Sequence, residues 1–203
     1  MWSGSPRDGF LGEKCARLEM GLLGLLRKLK VKEKEMRILF LGLDNAGKSS
    51  VIKAFMGESI DELSPTLGFE IRTIETQGFH VNCWDVGGQS TIRAYWRNYF
   101  ETTDGVVWVV DSADRNRIAD CKKELDSILQ QERLAGASLL IFANKQDING
   151  VLTAKEIAEL LDLNAIDKRH WSIVPCSAQT RAGIEDGFNW IVNDIGSRLF
   201  THP

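Results

Sequence analysis

Beyond residue 36 the chain alternates short apolar runs with stretches of helical periodicity. RILFLGL (37–43), FEIRTIE (69–75), FHVNCWDV (79–86), GVVWVVD (105–111), SLLIFAN (138–144) and WSIVPCS (171–177) are rich in β-branched and aromatic residues and predict six strands. Helical patterns lie near 48–57, 90–100, 114–132, 153–162 and 183–199. Continuous apolar strands with helices between them bury both faces, so the pattern predicts an α/β fold with a mostly parallel sheet covered on each side. One pair departs. Only Thr76, Gln77 and Gly78 separate the second strand from the third, a hairpin length that makes them antiparallel. One domain is predicted over 36–203.

Upstream, MGLLGLLRKLKVKEKEMR (20–37) puts Leu22, Leu25, Leu26 and Leu29 on one helical face, with Arg27, Lys28, Lys30 and Lys32 largely opposite. This predicts an amphipathic helix over 20–35, which either caps the domain or supplies at most peripheral contact with a membrane or partner. Residues 1–19 show no apolar periodicity and lack the apolar centre of a signal peptide. They read as a disordered extension or an expression remnant.

Charge and composition narrow the picture little. The net charge of −3 gives no general attraction for nucleic acid. Runs such as GVVWVV (105–110) are too short to span a bilayer. Cys15, Cys83, Cys121 and Cys176 have no paired spacing, which favours buried thiols in a reducing cytoplasm over a disulfide framework. His80, His170 and His202 form no ligand cluster.

Chemistry gathers where strands end. After ILFL comes GLDNAGKS (42–49), with Gly42, Gly47, Lys48 and Ser49 in the spacing G-x-x-x-x-G-K-S. Glycines let backbone N–H groups wrap a phosphate, Lys48 adds a point charge, and the Ser49 hydroxyl can ligate Mg²⁺. A helix beginning near Lys48 would add the positive end of its dipole. The predicted binding segment is Asp44, Asn45, Ala46, Gly47, Lys48, Ser49 and Ser50; the bland alternative is an ordinary glycine turn. Strand three ends in WDVGGQ (84–89), where Asp85 suits Mg²⁺ held through water and Gly88 can offer its N–H to a γ-phosphate. Gln89 can orient an attacking water, which makes it the catalytic candidate. NKQD (144–147) addresses the base. The Asp147 carboxylate can accept from both N1–H and N2–H₂ of guanine, a pair adenine lacks. Asn144 can tie neighbouring loops together, and the stem of Lys145 can cover the base.

These motifs resemble the Arf-like (ADP-ribosylation-factor-like) small GTPases, which show GLDNAGKT, SPTxGF, WDVGGQ and NKQD in this order. Here they read GLDNAGKS, SPTLGF (64–69), WDVGGQ and NKQD, and the likeness runs from Met20 to about Phe200. It implies a single P-loop GTPase domain that binds GTP, GDP and Mg²⁺, hydrolyses GTP slowly, and engages effectors when GTP is bound. It implies that Thr66 closes over Mg²⁺ and the γ-phosphate and that Ser177 and Ala178 contact guanine. Phe69, Trp84 and Tyr99 match the aromatic triad through which such switches grip effectors. The 69–86 hairpin is implied to slide in register between nucleotide states, with the 20–35 helix as its partner. An exchange factor and a GTPase-activating protein are implied as well. AYWRNYFE (94–101), ERLAGASLLIFANKQD (132–147) and SRLF (197–200) are similar to one branch of the family. That branch implies tubulin-folding cofactor D and prenyl-binding carriers as partners. It implies a cytoplasmic site of action, with the microtubule-organising centre and transient membrane contact as extensions. If translation begins at Met20, Leu25 stands where a myristoylation signal wants Ser or Thr, which argues against acylation of Gly21.

Asp44 occupies a position where Ras-type proteins carry glycine. A carboxylate there, near the γ-phosphate, would repel developing negative charge or disturb the attacking water, so Asp44→Gly is expected to raise single-turnover hydrolysis. No arginine supplied in cis is evident, so intrinsic hydrolysis is expected to be slow, with an activating protein lending one. Two other classes compete: a metabolic P-loop enzyme such as a nucleotide kinase, which Asp147 disfavours, and a non-hydrolysing GTP-binding scaffold, which Gln89 disfavours.

Overall fold

A computed structural model describes residues 33–61 and 64–199. The extension over 1–19 and nearly all of the amphipathic helix expected over 20–35 lie outside the described residues. The strands are β1 (Glu35–Leu41), β2 (Phe69–Thr76), β3 (Phe79–Val86), β4 (Gly105–Asp111), β5 (Ser138–Asn144) and β6 (Trp171–Pro175). The helices are α1 (Lys48–Phe55), α2 (Ser90–Arg93), α3 (Ile118–Leu129), α4 (Ala154–Leu160) and α5 (Ile184–Leu199). The six strands form one sheet in the order β2-β3-β1-β4-β5-β6. All neighbours are parallel except β2 and β3, which pair antiparallel from Phe69↔Val86 to Thr76↔Phe79. The mostly parallel sheet and its one hairpin are those the apolar pattern predicts.

Strand periodicity builds two apolar layers. In β1, Leu39 and Leu41 face one side with Trp108, Val110, Leu139 and Ile141, under Leu125 and Ile128 of α3 and Ile157 of α4. Ile38 and Phe40 face the other with Val107, Val109, Leu140 and Phe142, under Val51 and Ile52 of α1 and Phe188, Ile191 and Ile195 of α5. Both faces being covered, every residue of β5 is buried. A Cβ at Gly187 would collide with the Phe142 ring, so the glycine lets α5 lie close on β5.

Two helices differ from their expected spans. The one expected over 90–100 is a four-residue helix, α2, followed by a 3₁₀ turn at Trp96–Tyr99. The Trp96 indole N–H donates to the Gly87 carbonyl at 2.9 Å, and the buried ring meets Trp108 edge-on, so tertiary contacts override a continuous helix. The one expected over 114–132 is α3 flanked by 3₁₀ turns at Arg115–Arg117 and Glu132–Leu134. The parallel order sends the carboxyl ends of β1, β3, β4, β5 and β6 to one edge, which is where ligands of open α/β sheets bind.

Candidate nucleotide site

β1 stops at Leu41 because Gly42 takes φ +139°, and a Cβ there would strike the Val109 carbonyl on β4. The loop turns again at Gly47 (φ +92°), which precedes the first turn of α1. No side chain caps that turn, which leaves its N–H dipoles directed at the loop. Lys48 is buried and folds back over the loop, donating to the carbonyls of Gly42 (3.1 Å) and Leu43 (2.9 Å). Burial pushes its ammonium down to about 8, against the opposing pull of Asp85 and Asp44. A cleft of about 290 Å³ opens here between the loop, residues 64–66 and Gly87–Gln89, and Asp44, Asn45, Gly47, Lys48, Ser49 and Ser50 all line it. The site has room for a polyphosphate and a buried cation to meet it.

Three oxygen donors converge beside Lys48. The Ser49 hydroxyl donates to Asp85 Oδ2 at 2.5 Å and lies 3.0 Å from Thr66 Oγ1, which itself donates to Asp85 Oδ2 at 3.2 Å. Asp85 is 2% exposed, and its Oδ1 is buried without a hydrogen-bond partner. Burial raises its carboxyl, while Ser49, Lys48 and Thr66 act to lower it. Two hydroxyls and a carboxylate with an unmatched oxygen fit a small hard cation such as Mg²⁺.

Gly88 admits no side chain. A Cβ there would lie 2.5 Å from both the Gly42 carbonyl and Lys48 Nζ and 2.6 Å from the Asp44 N–H, so this segment touches the phosphate loop directly. Gln89 follows in extended backbone conformation as the N-cap of α2, on the rim of the same cleft.

At the far end, Asn144 is buried and bonds two loops. Its amide donates to the Ala46 carbonyl at 2.9 Å, and its oxygen accepts from the Ala178 N–H at 3.0 Å. The Ser177 hydroxyl donates to Asp147 Oδ1 at 2.5 Å, which fixes the carboxylate assigned to the base. Lys145 takes φ +69° and pairs with Asp111 at 2.6 Å. Gln146 braces the loop by donating to Ser112 Oγ (2.8 Å) and the Leu152 carbonyl (3.0 Å).

Phe69, Trp84 and Tyr99 also come together. Phe69 stacks on Trp84 at 5.2 Å, with Tyr99 5.1 Å and 6.0 Å from the two rings. Arg37 places its guanidinium 3.8 Å over the Trp84 ring and donates to the Tyr99 carbonyl, a brace the motif reading missed. Phe69 is 46% exposed and Leu67 beside it 82%.

Asp44 has partners the sequence reading did not foresee: Arg117 reaches both its oxygens at 3.1 Å and Arg93 reaches Oδ1 at 3.1 Å. Burial raises its carboxyl, but Arg117, a backbone hydrogen bond and Arg93 together hold it below the usual range. Neither arginine belongs to a motif, and they lie 49 and 73 residues from Asp44 in sequence. Only the spacing of Arg93, one helical turn after Gln89, offered a signal.

Comparison with known proteins agrees with this geometry. The model of the ADP-ribosylation factor family matches residues 22–195. An ADP-ribosylation factor-like protein 2 of Arabidopsis thaliana is 60% identical, over 89% of this chain and 98% of its own. The protein of that name in Drosophila melanogaster is 55% identical, over 90% and 99%. Among solved structures, the Arl6 BBS3 small GTPase of Trypanosoma brucei, with the bound nucleotide analogue GppNp, superposes with a TM-score of 0.74 at 28% identity, covering 81% of this chain and 99% of that one. Hydrolysis of GTP, the family's reaction, sets aside the kinase and scaffold readings. The chain belongs to the ADP-ribosylation factor family of small GTPases, switches that bind GTP and GDP with Mg²⁺.

Proposed function

We propose that the strand-end site holds GTP with its phosphates along Asp44–Ser50 and its base against Asn144, Lys145, Asp147, Ser177 and Ala178, and that Gln89 orients the water. The observation that carries this reading is the meeting of Ser49, Thr66 and Asp85 within 3.2 Å beside the buried Lys48. Thr66 comes from the segment before β2, and its place beside Ser49 and Asp85 supports the closure over Mg²⁺ that we assign to the GTP state. Ser49 and Thr66 would hold Mg²⁺ directly and Asp85 through water; the ion would neutralise charge on the β- and γ-phosphate oxygens.

The chain's own groups do the rest. Lys48 places a desolvated positive charge beside the β- and γ-phosphates, and the N–H groups of the loop and of Gly88 point at their oxygens. The Gln89 amide accepts from the water and donates to a γ-phosphate oxygen, aiming the water at phosphorus. The water oxygen bonds to the γ-phosphorus as the bond from phosphorus to the β–γ bridging oxygen breaks, and the water's proton passes to the departing phosphate, leaving GDP and inorganic phosphate. Loss of the γ-phosphate removes what Gly88 and Thr66 grip, which frees both segments and disturbs the neighbouring triad at Phe69.

The identity to ADP-ribosylation factor-like protein 2 relatives supports a finer reading. Effectors meet Phe69, Trp84 and Tyr99 in the GTP state, with tubulin-folding cofactor D and prenyl-binding carriers as partners. The protein acts in the cytoplasm, including the microtubule-organising centre, with membrane contact confined to the 20–35 helix. No described helix is long and apolar enough to cross a membrane.

The test of the site is Gln89→Leu, loaded with GTP and followed through a single turnover without partners. Hydrolysis should fall at least about tenfold while GTP stays bound. An unchanged rate removes Gln89 from catalysis.

A further inference from the structure

Arg93 makes three bonds in three directions. Its Nε donates to the Gly88 carbonyl at 2.8 Å, one terminal nitrogen to Asp44 Oδ1 and the other to Glu124 Oε1, both at 3.1 Å. The Arg93 side chain is 15% exposed, while its carboxylate partners Asp44 and Glu124 stand partly in solvent. It thereby joins the segment after β3, the phosphate loop and α3. Its anchor on the loop is fixed independently. Arg117 grips both Asp44 oxygens and the Asp44 carbonyl, while its Nε pairs at 2.6 Å with Asp114, whose carboxylate also caps the turn that carries Arg117.

We propose that Arg93 is a positioning residue for hydrolysis, clamping the Gly88–Gln89 peptide to the phosphate loop, and that Asp44 is the fixed anchor of this clamp. The inference rests on the assignment of Gln89 as the residue that orients water. The Gly88 carbonyl and the Gln89 N–H belong to one rigid peptide plane, so fixing the oxygen fixes the plane from which the Gln89 side chain departs. It also fixes Gly88, already in contact with the loop at Gly42 and Asp44. The Trp96 indole holds the preceding Gly87 carbonyl at 2.9 Å, so two consecutive carbonyls are each held by a side-chain donor. A fork of three donors in a plane is what the task requires; an ammonium cannot reach three acceptors in these directions. The expected sign of a change at Asp44 reverses. Removing the carboxylate loosens the clamp and slows the reaction, where a repelling carboxylate would have slowed it by being present.

The test uses the full chain loaded with GTP or GDP, comparing Arg93→Gln, Arg93→Lys, Asp44→Ala and Gln89→Leu with the parent. Single-turnover hydrolysis should fall about tenfold in Arg93→Gln and equally in Arg93→Lys, and severalfold in Asp44→Ala. Release of fluorescently labelled GTP should quicken severalfold in the Arg93 variants, with GDP release within about twofold of the parent. That selectivity separates a clamp on the γ-phosphate side from general loosening of the fold, because a merely structural residue would quicken both. Parental hydrolysis in Arg93→Lys, faster hydrolysis in Asp44→Ala, or equal quickening of GTP and GDP release overturns the proposal. Slow hydrolysis in Gln89→Leu alongside parental behaviour of both Arg93 variants overturns the clamp alone. Unchanged hydrolysis in Gln89→Leu overturns the assignment of Gln89, and the GTP-selective release still decides the clamp.

Discussion

Asn144 shows how much one side chain carries in this site. Its amide bonds the Ala46 carbonyl of the phosphate loop and the Ala178 N–H of the base loop, so the two ends of the nucleotide site are held by one buried residue. Truncation to Ala orphans both backbone groups at about 1–3 kcal/mol each, and it also removes the amide that a Cβ at Gly47 would strike. Asn144→Ala should therefore lower the melting temperature and weaken GDP and GTP alike; a parental melt with parental affinity would refute this role. Asn144 was legible in the sequence because NKQD is contiguous and ends a strand. Arg117 and Arg37 were not, because each acts on a partner far along the chain and nothing local distinguishes such an arginine from a solvated one; Arg93 offered only its spacing from Gln89, its bond to Asp44 lying 49 residues away. The partners of Asp44 were hidden for the same reason: the charge was visible, but the two guanidinium groups paired with it come from other elements.

At the scale of elements, α5 is stapled to the sheet edge opposite the nucleotide. Asp194, 15% exposed, accepts from the Ser138 hydroxyl at the start of β5 (2.6 Å), from Arg198 (3.2 Å) and from the His170 ring beside β6 (2.8 Å). Burial pushes its carboxyl up, but Ser138, His170 and Arg198 together hold it below the usual range. A depressed carboxylate stabilises the fold fully above its unfolded value of about 4 and loses that contribution as pH falls through the lower folded value. Asp194→Asn should thus melt earlier than the parent at pH 7, with the gap closing below about pH 4. A gap independent of pH would assign the loss to packing. The elements themselves were legible where periodicity and burial agree, as in β1, whose alternate residues enter opposite layers. They were less so at 90–100, where Trp96 leaves the helical path to meet Gly87 and Trp108. The β2–β3 hairpin could be drawn from its three-residue turn, whereas its docking on α5, through Gln77 to Asn189 at 2.7 Å, pairs residues 112 apart.

For the whole molecule, a parallel sheet with both faces covered brings the ends of β1, β3, β5 and β6 to one edge. Four short motifs, spread from Gly42 to Ala178, thereby line a single site. Under the proposed function, phosphate, metal and base chemistry sit on separate strand ends, so the nucleotide would tie the strand ends together, and the γ-phosphate would decide whether Thr66 and Gly88 are held. The triad lies beside this junction, on β2, β3 and the turn after α2, the place from which the proposed effector contact would read that state. The most direct test of the account is the nucleotide carried and turned over by the purified chain. Denatured protein should release guanine nucleotide, and GTP loaded onto the native chain should decay slowly to GDP and phosphate with no transfer to another acceptor. Adenine nucleotide in the eluate, or no nucleotide and no affinity for guanine, would contradict the reading of Asp147 and of the site built around it.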